Sequence, residues 1–298
     1  MSDILRKIIP FFKLIRYPNL AIIILTQLLT YYCISDRYLF HSFFPNGIFF
    51  LITGSVLIAA AGYMINDLFD IDIDRINKPE KVMINHLFSK NFVIITYSLF
   101  NIIALLCGLL IGNQIFIIFI FSIILLILYS AYLKKELISG NLAVSVLLAM
   151  TVFIIWIYCP YGNFGMLLFY TSFAFISSFI REIVKDMEDI DGDKELRCHT
   201  LPIIAGMKAA KYIALFLTVL LIGLIEYSAL FSHVYFYANS IITTISLNFL
   251  TVIPLIFIWF KLLNAKERKD YSRISIYMKL VILTGILSII SLKINYPI

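Results

Sequence analysis

Nine stretches of this 298-residue chain are long and apolar enough to cross a bilayer, far more than a soluble core could hide. A helix needs about 20 mostly apolar residues to span the hydrocarbon region. Such runs lie near 18–35, 47–66, 91–112, 114–133, 139–159, 164–182, 207–231, 238–262 and 273–293. Hydrophobic residues make up 61 % of the chain and charged residues 14 %, against about 45–50 % and about 25 % in ordinary soluble domains. Because lipid offers no hydrogen-bond partners, each run must close its main-chain bonds within itself as a helix. The expected fold is all-α: one polytopic membrane domain over residues 1–298, with nine transmembrane helices.

Charge placement orients this bundle. Put the N-terminus on the cytoplasmic side, and all of the 24 Lys and Arg except Arg37 and Lys293 fall in inside segments, as positive residues are retained there. The chain is therefore expected in the cell membrane, multi-pass, with its N-terminus and polar loops cytoplasmic. Lys13, Arg16 and Pro18 interrupt the first run and no small-residue cleavage site follows, so it reads as a retained segment rather than a signal peptide. The net charge of +6 then reflects topology. It calls for no nucleic acid, and nothing in the sequence calls for a protein partner. The third and fourth runs, parted by Gly112, Asn113 and Gln114, should form a tight hairpin, and Pro254 should kink the eighth.

The acids are more unevenly placed than the bases. Asp67, Asp70, Asp72, Asp74 and Glu80 follow the second run, while Glu182, Asp186, Glu188, Asp189, Asp191, Asp193 and Glu195 follow the sixth. These are the acidic loops, at about 66–90 and 181–206, both on the cytoplasmic side. Asp67, Asp70 and Asp74 stand at i, i+3 and i+7, as do Asp186, Asp189 and Asp193, so helical extensions of the two runs would put each trio on one face. Like charges so stacked repel, and something cationic should compensate. Oxygen-only ligands suit Mg²⁺, commonly held by a few carboxylates plus substrate phosphates.

Other chemistries find no support. Asp70, Asp72 and Asp74 begin like a calcium loop, but Arg75 fills the glycine position and Lys81 the bidentate glutamate position. The four histidines lack ligand spacing, and Cys33, Cys107, Cys159 and Cys198 form no CxxC pair. No GxGxxG, Walker or GxSxG segment occurs. Two acidic rims on an apolar bundle instead suit a substrate with a diphosphate head and an apolar tail. Lys134 and Lys135, which end the fourth run, and Arg181, beside the second acidic face, are the cations that could meet the phosphates.

At these residues the chain resembles the UbiA superfamily of intramembrane prenyltransferases. The segment Asn66-Asp67-Leu68-Phe69-Asp70-Ile71-Asp72-Ile73-Asp74-Arg75-Ile76-Asn77-Lys78-Pro79 is similar to that family's NDxxDxxxD signature and the DxxNxP that continues it. Arg181-Glu182-Ile183-Val184-Lys185-Asp186 through Asp193, followed by Thr200-Leu201-Pro202, is similar to the REIxKDxEDxxGD…TLP motif of one branch. Tyr129-Ser130-Ala131-Tyr132-Leu133-Lys134, Gly140-Asn141 and Arg16-Tyr17-Pro18-Asn19 resemble further landmarks.

The resemblance implies nine helices and Mg²⁺-dependent transfer of a geranylgeranyl group from its diphosphate. The acceptor would be the hydroxyl of a prenylglyceryl phosphate, giving a membrane ether lipid. It implies two Mg²⁺ ions, one on Asp67, Asp70 and Asp74 and one on Asp186, Asp189 and Asp193, with Lys134 also catalytic. Substrate contacts would come from Asn66, Arg16, Asn19, Arg75, Lys78, Tyr129, Tyr132, Arg181 and Lys185. The partners implied are the prenyl diphosphate donor, a lipid-like acceptor and membrane lipid. Two departures stand out. The family's R-P-x-P-S-G is replaced around Lys81-Val82-Met83-Ile84-Asn85-His86, and Arg197 stands where a glycine is common. An aromatic acceptor is the alternative within the same chemistry. A transporter is the alternative outside it, although transporters place acids at mid-bilayer and Glu226 is the one acid well inside a run.

Overall fold

The computed structural model describes residues 3–35, 47–72, 83–230 and 241–294, with side chains from Lys7 to Ser291 within those ranges. Each apolar run of the sequence contains a helix there; residues 238–240 of the eighth lie outside the described residues. The first helix, α1 (Asp3–Leu14), is amphipathic rather than apolar, and α2 (Tyr17–Cys33) follows it. Eight helical segments are long and apolar enough to span on their own. They are α3 (Gly47–Phe69), α4 (Lys90–Ile111), α5 (Asn113–Ala131), α6 (Ser139–Tyr158), α7 (Phe164–Glu188), α10 (Met207–Leu230), Ile241–Asn264 and Arg268–Ser291. Residues Lys7–Leu14 and Tyr17–Cys33, which meet at a bend of 54°, reach that length together. Short helices α8 (Ile190–Glu195) and α9 (Leu201–Ile204) link α7 to α10.

The chain divides into two compact units: Met1–Leu25 with Phe43–Lys134, and Thr26–Ser42 with Lys135–Ile298. In the first unit α3 packs on α4 and α5. Glycine permits the approach: a Cβ on Gly54 would stand 2.3 Å from the Phe119 ring. The expected α4–α5 hairpin turns on Gly112 alone, at φ 151°, a conformation that side chains rarely allow. Leu14, Ile15, Leu20 and Ile23 bury against Ala60, Met64, Ile71, Ile84, Phe88 and Val93. That apolar cluster anchors the polar end of α3 and the Met83–Phe88 turn, where Asn85 takes φ 72°. The departure around Lys81–His86 is thus built, in its described part, on buried Ile84 and Phe88 and on an asparagine, a residue that tolerates the left-handed region.

In the second unit α7 is the central element. Of its apolar window 61 % is buried, the largest share among the eight spans, and it packs against α6, α10 and α13 (Arg268–Leu287). The expected effect of Pro254 takes a specific form. Between α11 (Ile241–Leu247) and α12 (Ile253–Asn264) the chain widens into a π-helical turn, Asn248–Val252. Proline has no N–H to offer the carbonyl four residues back, and that carbonyl, Leu250 O, instead accepts from Thr284 Oγ1 of α13 at 2.6 Å. The neighbouring helix thereby satisfies the freed group, as bilayer proteins require.

Candidate functional site

In the first unit the acids stand at the polar end of α3. Its last helical residue is Phe69, yet the Asp70 N–H still reaches Asn66 O at 2.9 Å, and Ile71 and Asp72 are helical. Asp67 Oδ1 accepts from Arg16 Nη2 at 2.7 Å. Asp70 is held on both oxygens, by Lys134 Nζ at 2.5 Å and by Asn66 Nδ2 at 2.7 Å. Both carboxylates are largely buried, with side-chain exposures of 17 % and 15 %, so ion pairing is what makes their charge tolerable. The compensating cations expected from the stacked acids are the chain's own, brought from 51 and 64 residues away.

Local structure explains both cations. Arg16 sits at the α1–α2 bend with φ 53°, its N–H on Lys13 O and its carbonyl receiving Asn19 N–H. Its guanidinium lies 4.8 Å from the centre of the Tyr63 ring, and Tyr63 Oη accepts from Asn19 Nδ2 at 3.1 Å. Tyr63 was not among the sequence candidates; its position four residues before Asp67, on the same helical face, is the signal that could have found it. Lys134 belongs to the single 3₁₀ turn Leu133–Lys135 after α5, with its ammonium 5.9 Å from the Phe69 ring centre. Tyr129 interacts electrostatically with Arg16. Tyr132 caps α5 through its N–H to Leu128 O at 2.9 Å, and its side chain is 69 % exposed. Asp74, Arg75 and Lys78 lie outside the described residues.

In the second unit α7 carries Arg181 and Glu182 at the end of its expected run and continues six residues further, through Lys185 and Asp186. The trio Asp186, Asp189 and Asp193 does not lie on one continuous helix. The helix ends at Asp189 and restarts as α8, with Asp193 N–H bonding back to Asp189 O at 3.2 Å. Asp186 Oδ2 accepts from Asn141 Nδ2 of α6 at 2.8 Å, and Asn141 is itself buried. Buried Asp193 accepts from Thr200 Oγ1 at 3.3 Å. Arg181 and Lys185 both turn to Glu182, at 2.6 and 3.4 Å. Neither Glu182 nor Asn141 was among the sequence's site candidates, although each lies inside a quoted motif.

The end of α8 accounts for the family's glycine. Cys198 N–H bonds Asp193 O and Arg197 N–H bonds Lys194 O, the two bonds of a Schellman stop, in which the residue before the last donor takes the left-handed conformation. Arg197 occupies that position at φ 55°. The loop keeps its geometry without glycine, and the same stop fixes Asp193 by its backbone.

Among the described residues no three His, Cys, Asp or Glu side chains converge as a ready metal cluster. The donor set nonetheless fits a hard cation. It is oxygen throughout, and Asn66 Oδ1 is buried without a donor among the described residues, two bonds from an amide nitrogen that already holds Asp70.

Apolar helices of bilayer length, two of which end in hydrogen-bonded carboxylates, define a multi-pass membrane protein with ion-handling chemistry at those two helix ends. The UbiA prenyltransferase family matches residues 28–283, and the chain belongs to it. A relative from Methanosphaera stadtmanae named digeranylgeranylglyceryl phosphate synthase is 29 % identical over 94 % of this chain and 97 % of its own. A solved structure described for digeranylgeranylglyceryl phosphate synthase in membranes has a TM-score of 0.73 and 25 % identity, covering 97 % of this chain and 99 % of that one. A UbiA homologue from Archaeoglobus fulgidus, solved with GPP and Mg²⁺, shares the fold at a TM-score of 0.63 and 17 % identity, over 94 % and 99 % of the two chains.

Proposed function

We propose that this chain, acting as one domain, transfers a geranylgeranyl group from its diphosphate to the hydroxyl of a prenylglyceryl phosphate. The observation that carries the reading is the near end-to-end likeness to relatives named for that reaction. The geometry is in keeping with it: in each unit, taken by itself, carboxylates and their polar partners stand at the end of an apolar helix. Asp67, Asp70 and Asp74 would hold one Mg²⁺ and Asp186, Asp189 and Asp193 a second; divalent-metal use as such is supported by the Mg²⁺ bound in the Archaeoglobus homologue. Bound there, the ions would offset charge on the departing diphosphate.

The chain's own residues do the rest. Arg16, Lys134, Arg181 and Lys185 meet phosphate oxygens, and Asn66 and Asn141 orient the carboxylates beside them. Tyr63 and Asn19 hold the Arg16 turn. Apolar helix surface takes the prenyl tail and keeps water from the allylic carbon. The C–O bond to diphosphate breaks with its electron pair on the leaving group, the acceptor oxygen forms the ether bond, and the hydroxyl proton is released. The acidic ends and the N-terminus lie on the cytoplasmic side of the cell membrane, with nine spans once the bent first pair counts as one.

The test uses full-length protein in lipid nanodiscs with Mg²⁺ and labelled geranylgeranyl diphosphate. Offered prenylglyceryl phosphate and an aromatic acid in parallel, it should consume the first and give an ether product of the summed mass less diphosphate. Consumption of the aromatic acid alone, or of neither, would overturn the reading.

A further inference from the structure

Glu182 is the most deeply buried charged side chain of the second acidic segment, and neither the metal set nor the phosphate contacts use it. Its side chain is 6 % exposed, while its two partners, Arg181 and Lys185, are 27 % and 30 % exposed. Neighbours at i and i+1 on a helix point apart, so Arg181 must lay its long side chain back across α7 to bring Nη1 within 2.6 Å of Glu182 Oε1. Lys185, one turn on, approaches Oε2 of the same carboxylate at 3.4 Å. One buried anion therefore draws two flexible cations to its two oxygens. Stability alone is a poor reason to keep it, since a buried ion pair often does no better than apolar residues of the same size. What it does supply is direction. Both cations are drawn together one turn before Asp186, and Arg181 Nε is left buried with no acceptor among the described residues. A buried guanidinium N–H without a partner is costly, and a phosphate oxygen is the acceptor that an Arg fork matches best.

We infer that Glu182 is a positioning residue: it holds Arg181 and Lys185 as a preformed two-cation cradle for a substrate phosphate. This deepens, and rests on, the transferase reading above. The cradle's ligand is a phosphate group, supplied either by the donor's diphosphate or by the acceptor's monoester.

The experiment measures KM and kcat for each substrate separately, in nanodiscs with Mg²⁺, for wild type, Glu182→Gln, Lys185→Met and the double variant. Glutamine keeps the shape and removes the charge. Glu182→Gln should raise KM for one substrate about tenfold, the scale of one charge-assisted contact, with kcat within about twofold. In the Lys185→Met background the same change should add markedly less than its separate effect, because the two act as a unit. Competition distinguishes the sources. A weakened inhibition by inorganic pyrophosphate assigns the cradle to the donor, and weakened inhibition by glycerol phosphate assigns it to the acceptor. Should Glu182→Gln fail to fold, Glu182→Asp keeps the charge but withdraws it by one methylene, and should raise the same KM by about threefold. Unchanged KM for both substrates in a folded variant overturns the inference, as does a multiplicative, independent effect in the double variant. A wild-type protein that forms no ether product would instead overturn the transferase reading.

Discussion

The two acidic helix ends look alike in sequence and are wired differently. At the end of α3, Asp67 and Asp70 are each paired to a cation from a distant segment. At the second, Asp186 of α7 is held by an amide and Asp193 of α8 by a hydroxyl, while the local cations go to Glu182. The first arrangement pairs its carboxylates with the chain's own cations; the second holds them by neutral donors. Equal spacing of like residues therefore does not mean equal electrostatics. The first end has its own cations to hand over to a phosphate, and the second has more need of an external cation.

The largest expected effect treats the ends alike. Asp70→Ala and Asp189→Ala should each lower transfer of labelled prenyl by about 10²–10³-fold, the loss seen when one strong electrostatic contact leaves an active site. Full activity in either would sink the assignment. The next pair separates them. Lys134→Met should cost roughly 10–100-fold in transfer and leave the loss in place at any Mg²⁺ concentration, since a cation's phosphate contact is gone. Asn141→Ala should cost about 10-fold and recover as Mg²⁺ rises, since an outer contact orienting a metal carboxylate mainly tunes metal affinity. Mg²⁺ titrations of both variants would show whether the contrast holds. If both losses respond equally to Mg²⁺, the comparison breaks. The smallest effect is on stability. Arg197→Gly relieves a left-handed side chain and should stabilise by about 1 kcal/mol, read as a rise of a few degrees in thermal midpoint in detergent. Asn85→Gly should gain less, because asparagine bears that conformation more easily.

Hydropathy carried most of the fold. The ends of α4, α5, α6 and α10 fall within a residue or two of the apolar runs, because lipid punishes any other placement. What hydropathy could not carry is amphipathic or polar. Helix α1 has no bilayer-length apolar signal, and α7 outruns its apolar stretch through charged residues that α6 and its own side chains satisfy. Motif spacing located the acids but implied one continuous helical face for Asp186, Asp189 and Asp193, where the chain breaks at Asp189. It also could not choose partners. That Arg16 rather than Lys13 reaches Asp67 depends on a 54° bend, a tertiary outcome of packing Leu14 and Ile15 into the first unit's core. The described non-glycine residues with positive φ are Arg16, Asn85 and Arg197. All three sit in segments tied to the acids, where strain is tolerated because the surroundings dictate the backbone.

The bond from Thr284 to the carbonyl freed by Pro254 has a mechanical consequence. Apolar side chains that pack between two helices hold them by shape and pair no particular donor with a particular acceptor. Here a hydroxyl on one rod does the work of a missing amide on the other, in surroundings where neither water nor lipid can substitute. The proline thus ties the wide turn before α12 to one point on α13, a directional contact among otherwise non-directional ones.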